Sequence, residues 1–227
     1  MLGTLVNTAA VVLGSSIGLL LKSRFPDRIR SAVFRGIGIF SLAIGISMAI
    51  ETRSFLIMIL SVVLGAITGE YLDIDRWLSG LSEKLKSKLG SSEKRFTEGL
   101  MTAFLLFCTG SMTIIGGIQE GMTGDVSLYC IKSLMDGVSS IALASAMGIG
   151  VLFSALPLFI LQGGITLSAR LFGEVVPPEV ITEISAVGGL LIVGLGIEIL
   201  ELRRMEIANY LPALVYAGVF AVLLRII

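Results

Sequence analysis

The 227-residue chain carries 17 basic and 17 acidic residues, so its formal charge is zero and no nucleic-acid partner is expected. Hydrophobic residues make up 55% and charged residues 15%, against about a quarter charged in soluble domains, and the mean hydropathy is +0.95. These values exclude an ordinary soluble domain and predict an all-α integral membrane protein. Histidine is absent, which removes the usual proton shuttle and the commonest metal ligand. That argues against zinc proteases, haem proteins and His-based catalysts, and no cofactor or metal is expected. Cys108 and Cys130 have no ligand spacing and read as small apolar core residues.

A helix needs about 20 mostly apolar residues to cross the hydrocarbon. In chain order the candidates are 2–21, 36–52, 54–70, 99–118, 127–147, 149–169, 184–201 and 206–225. The first, MLGTLVNTAAVVLGSSIGLLLKS, lacks a basic n-region and outruns a signal-peptide core, so it reads as a retained helix. The first loop holds Lys22, Arg24, Arg28, Arg30 and Arg35; the third holds Arg76, Lys84, Lys86, Lys88, Lys94 and Arg95. Alternation puts both on one side, which the positive-inside rule makes the cytoplasm. Eight spans place Arg203 and Arg204 there too, whereas seven turn that pair outward. Eight is therefore expected, with both termini outside a bacterial inner membrane.

Within the third loop, Ile74, Trp77, Leu78, Leu81, Leu85 and Leu89 share one helical face. Such a stretch suits a helix lying on the inner leaflet, or a cap packed on the bundle. The run from 127 to 169 has no polar loop, and the break is expected at Gly148-Ile149-Gly150, with Pro157 kinking or opening the helix that follows.

FPDRIRSAVFRGIGIFSLAIGI (25–46) aligns with VPPEVITEISAVGGLLIVGLGI (176–197). Pro26 meets Pro177, Gly38 meets Gly189, Gly45 meets Gly196 and Ile46 meets Ile197. Helices one to three would then correspond to six to eight. An odd number of spans between the two starts inverts one half, as in many secondary transporters. The basic first loop would face in, and its acidic counterpart, with Glu174, Glu179 and Glu183, would face out. The expected organisation is a single membrane domain, 1–227. It comprises a first half (1–72), a cytoplasmic amphipathic segment (73–98), a central hairpin (99–147) and a second half (148–227).

A charge deep in a span costs at least about 2.5–3.5 kcal/mol and is by default a functional suspect. Lys132 and Asp136 share one face of helix five at i, i+4. They read as an ion pair locking that helix to a neighbour, as an aspartate in a wet cavity tuned by Lys132, or as a snorkelled pair at the boundary. Ser139 follows one turn later. Glu198 lies about a turn inside helix seven. Thr109, Gly110, Ser111 and Thr113 cluster in helix four, either as small packing residues or as an unwound ion site. Gln162-Gly163-Gly164 is a second place where a helix could break, and Asn7 joins the set from helix one. GSSIG (14–18) and GAITG (65–69) read as helix contacts.

No Gly-rich phosphate loop and no nucleophile elbow is present, and Asp136 is the one aspartate clearly embedded. An enzyme is not expected. In FCTGSMTIIGGIQEGMTGD and KSLMDGVSSIALASAMGIGVLFSALPLFILQGG the chain resembles the bacterial multi-pass inner-membrane proteins of the YdfK/YqgA-like family, grouped under a domain of unknown function. Gly110-Ser111, Lys132, Asp136-Gly137 and Gln162-Gly163 carry the resemblance, which extends over essentially the whole chain. It implies a prokaryotic plasma membrane and no established substrate.

The expected function is a transporter or channel for a small ion or polar solute, using Asp136, Lys132, Ser139, Thr109, Ser111, Gln162, Asn7 and Glu198. The alternative is a non-transporting scaffold or partner-binding subunit. The partners expected are the lipid bilayer and the small ion or polar solute, and a homo-oligomer is compatible with the sequence.

Overall fold

The computed structural model describes residues 1–22, 27–77, 80, 96–108, 110–172 and 177–226, and no strand occurs among them. The helices are α1 (Leu2–Lys22), α2 (Asp27–Ala49), α3 (Phe55–Leu72), α4 (Phe96–Cys108), α5 (Ser111–Thr123), α6 (Ser127–Met147), α7 (Gly150–Phe153), α8 (Ala155–Phe172), α9 (Pro178–Ile199) and α10 (Pro212–Ile226), with a 3-10 turn at Ile207–Tyr210. Among the described residues five helical stretches are long and apolar enough to cross a membrane, or six if α4 and α5, bent by 56°, count as one broken span.

Their faces are sorted the opposite way from a soluble protein. On α1 the buried positions are Gly3, Thr4, Asn7, Val11, Gly14, Ser15 and Gly18, which recur at helical spacing. Leu5, Leu13 and Leu20 point outward. On α6, Lys132, Ser133, Asp136 and Ser140 are inside while Ile131, Leu134, Met135 and Val138 are exposed. Small and polar residues inside, large apolar residues outside, is the pattern that lipid selects. Hydrocarbon gives no drive to bury leucine, so close backbone approach and interhelical hydrogen bonds hold the bundle.

The chain forms two compact units. The first is Met1–Gly36 with Glu98–Val175. In it Gly14 lies against the backbone of Gly137 and Gly18 against that of Ile141, so α1 and α6 run parallel. Gly117 faces Ile165 and Gly121 faces Ala169, so α5 and α8 run parallel to each other. The second unit is Ile37–Thr97 with Val176–Ile227. Here α2 and α9 are antiparallel. A Cβ on Gly45 would sit 2.6 Å from the Gly189 carbonyl oxygen, and one on Gly196 would sit 3.0 Å from that of Gly38. α3 and α10 are antiparallel as well, with Gly65 on Ala213 and Gly69 pressed against the Asn209 backbone preceding α10.

Several local expectations meet the structure. Gly148 ends α6 at φ +87°, a conformation that favours glycine. The linker it opens contains the single turn α7. Pro157 sits in the first turn of α8, where a missing N–H is tolerated, so it opens the helix and does not kink it. α8 runs unbroken through Gln162-Gly163-Gly164, against the expected break there. Glu183, expected in an outer loop, is 3% exposed within α9. Its carboxylate accepts from the Thr52 hydroxyl (2.6 Å) and the Arg53 amide (2.7 Å), and so ties down the α2–α3 turn. Cys108 is buried as expected, but Cys130 is exposed on the outer face of α6. Of the amphipathic stretch in the third loop, 78–79 and 81–95 lie outside the described residues.

Candidate functional site

Four of the sequence-selected residues converge inside the first unit. Lys132 and Asp136 are one turn apart on α6, and the Lys132 ammonium donates to both carboxylate oxygens, at 2.9 and 2.7 Å. The pair is 5% and 6% exposed. From α1, the Asn7 amide nitrogen donates to Asp136 Oδ2 at 3.0 Å and to Gln162 Oε1 of α8 at 3.2 Å. Asn7 and Gln162 are fully buried. The Lys132 ammonium also stands 6.0 Å from the centre of the Phe107 ring, within range of a cation–π attraction. Losing either member would leave a buried, uncompensated charge, which costs about 3–5 kcal/mol.

The chemistry fixes how the two amides are turned. An ionised carboxylate only accepts, so Asn7 must present its NH2 to Asp136. The second hydrogen of that NH2 needs an acceptor, so Gln162 must present its oxygen. Asn7 Oδ1 and Gln162 Nε2 are left over: one buried acceptor and one buried donor with no hydrogen-bond partner among the described residues. Unpaired groups of this kind are uncommon in folded proteins and call for an explanation; the hydroxyls of Ser15, Ser61 and Ser185 are the others of this kind that stand alone among the described residues.

Glu120, which sequence reasoning passed over, forms a second polar cluster near the first. It lies in the last turn of α5 and is 5% exposed. Its carboxylate accepts from the Gly3 amide (2.7 Å), the Thr4 amide (3.3 Å), the Thr4 hydroxyl (3.2 Å) and the Thr166 hydroxyl (3.4 Å). The Met1 ammonium approaches it to 2.7 Å. A carboxylate on the free amides that open α1 is a favourable helix-end interaction. The sequence did hold a signal. Thr113, Gly117 and Glu120 share one face of α5, so the acid stands on the small-residue side that packs.

The two clusters are adjacent. Thr4 and Asn7 are one turn apart on α1, and Thr166 and Gln162 are one turn apart on α8, a step of roughly 5 Å along each axis. Beyond Glu120 and Thr166 an open cavity of about 450 Å³ is lined by these two residues with Leu2, Val126, Leu167 and Arg170. A polar track thus runs from this vestibule through Glu120, Thr4 and Thr166 to Asn7 and Gln162, and ends at the ion pair.

The α4–α5 break lies beside this track. The Thr113 hydroxyl donates to the Phe107 carbonyl across the break at 2.7 Å, and the Tyr129 hydroxyl donates to the Thr113 carbonyl at 2.9 Å. The first bond satisfies a carbonyl that the end of α4 would otherwise leave bare in lipid, and the second fixes Tyr129 to the first turn of α5. Of the remaining expected site residues, Ser139 is half-buried and stands outside the four-residue network. Ser140 instead is fully buried and donates to the Asp136 carbonyl at 2.7 Å. Thr109 and the Ser111 side chain lie outside the described residues, and Glu198 is half-buried in the second unit. Among the described residues no group of three metal-ligating side chains occurs.

The chain is 33% identical over 221 residues to the uncharacterized protein YqgA of Escherichia coli (strain K12), covering 95% of this chain and 94% of that one. It is 32% identical over 218 residues to the uncharacterized membrane protein YdfK of Bacillus subtilis (strain 168), covering 94% and 93% respectively. No solved structure matches. The family model for DUF554, a protein of unknown function, matches residues 2–222, and the chain belongs to that family of membrane proteins.

Proposed function

We propose that the protein is a transporter for a small ion or polar solute, built from eight crossings of a bacterial inner membrane with both termini outside. The observation that carries this reading is the polar track of the first unit. It leads from an open vestibule to a buried Lys–Asp pair with an unused donor and acceptor beside it. Buried polar groups within a membrane helix are costly, and their common use is a solute or ion path.

The helix directions support eight alternating crossings, with α4 and α5 counted as one broken crossing. In the first unit α1 and α6 share one direction, and α5 and α8 share the other. In the second, α2 opposes α9 and α3 opposes α10. The glycine contacts also support the inverted repeat. Gly38 corresponds to Gly189 in the alignment, and Gly45 to Gly196. In space, Gly38 packs on Gly196 and Gly45 on Gly189. This exchange of partners is the signature of a two-fold relation between equivalent elements.

In this conformation the pair is closed: the vestibule reaches Glu120 and Thr166, not Asp136. That closure is what a non-transporting scaffold would also show, and it fits an occluded state of a transporter equally. Proteoliposomes offered rubidium, chloride, alanine and glycerol separate the two. Uptake of one probe above empty vesicles, lost in Asp136→Asn, is the expected result. If the folded protein moves none of them, the scaffold remains. A reporter fused after Ile227 should read as external; a cytoplasmic signal there would end the eight-crossing topology. Like the topology, the absence of an enzymatic role belongs to this reading.

A further inference from the structure

We infer that the solute bound between α1, α6 and α8 is a net-neutral zwitterion of the α-amino-acid type. This inference rests on the transport reading above and names its substrate class.

Charge balance selects the class. The four converging side chains sum to zero: one ammonium, one carboxylate and two neutral amides. A bare cation binding Asp136 would meet the Lys132 ammonium, which already lies 2.7 Å from the carboxylate. If it displaced Lys132, it would leave that ammonium buried and unpaired. A bare anion taking Lys132 would strand Asp136 in the same way. A molecule that carries both charges re-pairs both residues at once, so no unpaired charge is left at any stage of insertion.

The two leftover groups have matching polarity. A bound ammonium would be held by Asp136, with Asn7 Oδ1 as second acceptor. A bound carboxylate would be held by Lys132, with Gln162 Nε2 as second donor. Both leftover atoms belong to fully buried side chains without a partner among the described residues. Lys132 and Asp136 touch in the closed state, so the entering charges must themselves lie close together, as they do when one carbon separates them. The interior here is tight: Gly137 packs on Ala10, at 3.4 Å from where its Cβ would stand, and the Phe107 ring stands 6.0 Å from the Lys132 ammonium. A compact amino acid therefore fits better than a bulky one.

The test uses the full-length protein in nanodiscs and proteoliposomes. The probes are alanine, its two halves propionate and ethylamine, and rubidium and chloride. Alanine is expected to raise the melting temperature and to be taken up. Propionate or ethylamine at the same concentration should do neither. Gln162→Met removes the idle donor and, with it, the acceptor for the Asn7 amide, so the ligand-free protein should melt somewhat lower. Alanine binding, measured as a dissociation constant on the folded variant, should in addition weaken about tenfold, the loss of one hydrogen bond to a charged group. Lower melting with alanine affinity unchanged would make Gln162 purely structural and overturn the inference. If either half alone matches alanine, the zwitterion inference is overturned. If rubidium or chloride moves in an Asp136-dependent way while alanine neither binds nor moves, the inference falls and the transport reading stands. If no probe moves or binds, both fall.

Discussion

Inside the helices of the first unit Asn7, Lys132, Asp136 and Gln162 meet, beside the glycine contacts of α1 with α6. In the second unit the contacts inside the helices are glycines, Gly38 and Gly45 on α2 against Gly196 and Gly189 on α9 and Gly65 of α3 on Ala213, with the buried but uncharged Ser41, Ser61 and Ser185. Its buried Glu183 and Asn209 work at helix ends. Glu183 holds the α2–α3 turn. Asn209, just before α10, donates to Glu70 at 2.8 Å and accepts from the Asp75 amide at 2.8 Å. Close glycine packing is thus enough to hold helices of this chain together in lipid. The mid-helix charges of the first unit are not needed for that purpose, and each adds a desolvation cost. Their presence in one unit and not the other is the main argument that they serve a solute.

The comparison can be broken most directly at the ion pair. Lys132→Met should lower stability by about 3–5 kcal/mol, because it leaves Asp136 buried and uncompensated. The double change Lys132→Met with Asp136→Leu should restore most of that loss yet move no solute. Thermal melting paired with uptake reads both effects. A double variant that still transports would show the pair to be a simple lock. The next effect belongs to the second unit. Gly45→Leu forces a side chain between α2 and α9, where even a Cβ would lie 2.6 Å from backbone. It should cost about 1–3 kcal/mol by overpacking, with the vestibule and polar track untouched. Equal loss of alanine binding and of stability in that variant would blur the division of labour between the units.

A smaller effect is expected at Glu120→Gln, which keeps an acceptor for the Gly3 and Thr4 amides but removes the charge. About 1 kcal/mol of stability should go, read as a lower melting temperature. The smallest is at the α5–α6 turn. The exposed Asp125 carboxyl is held below its ordinary value of 3.8 by hydrogen bonds from Ser127 and, to a lesser extent, Gln119. Its folded value is depressed, so its contribution is present above the ordinary value and fades as the pH falls through the lowered one. An acid titration should show a slight loss of stability there, abolished in Asp125→Asn.

Much of the architecture was legible in the residues. Apolar runs of crossing length gave α1, α3 and α6 close to their observed limits, whereas α9 begins at Pro178, before the expected 184, and Gly148 marked the α6 end through a conformation that favours glycine. Asn7, Lys132, Asp136 and Gln162 were each conspicuous as polar residues in apolar runs. Their convergence was not legible, because helical spacing says which face a residue takes but not which helix that face meets. Glu120 escaped notice, and Glu183 was expected in an outer loop, for a related reason. An acid near the end of a span reads as solvated, and only tertiary packing brings it the amides it accepts from. Gln162-Gly163-Gly164 misled in the opposite direction. Paired glycines permit a break but do not require one, and α8 keeps its helix through them, with open space beside Gly164.

The central claim is that the interior of the first unit opens to solutes while that of the second stays closed. With Cys108→Ala and Cys130→Ala as background, single cysteines at Gln162 and at Ser61, both fully buried, would be challenged with a membrane-impermeant thiol reagent in intact vesicles. Labelling of Gln162→Cys, slowed by alanine, with Ser61→Cys left unmodified, is the predicted result. Two cysteines equally protected under every condition would contradict it.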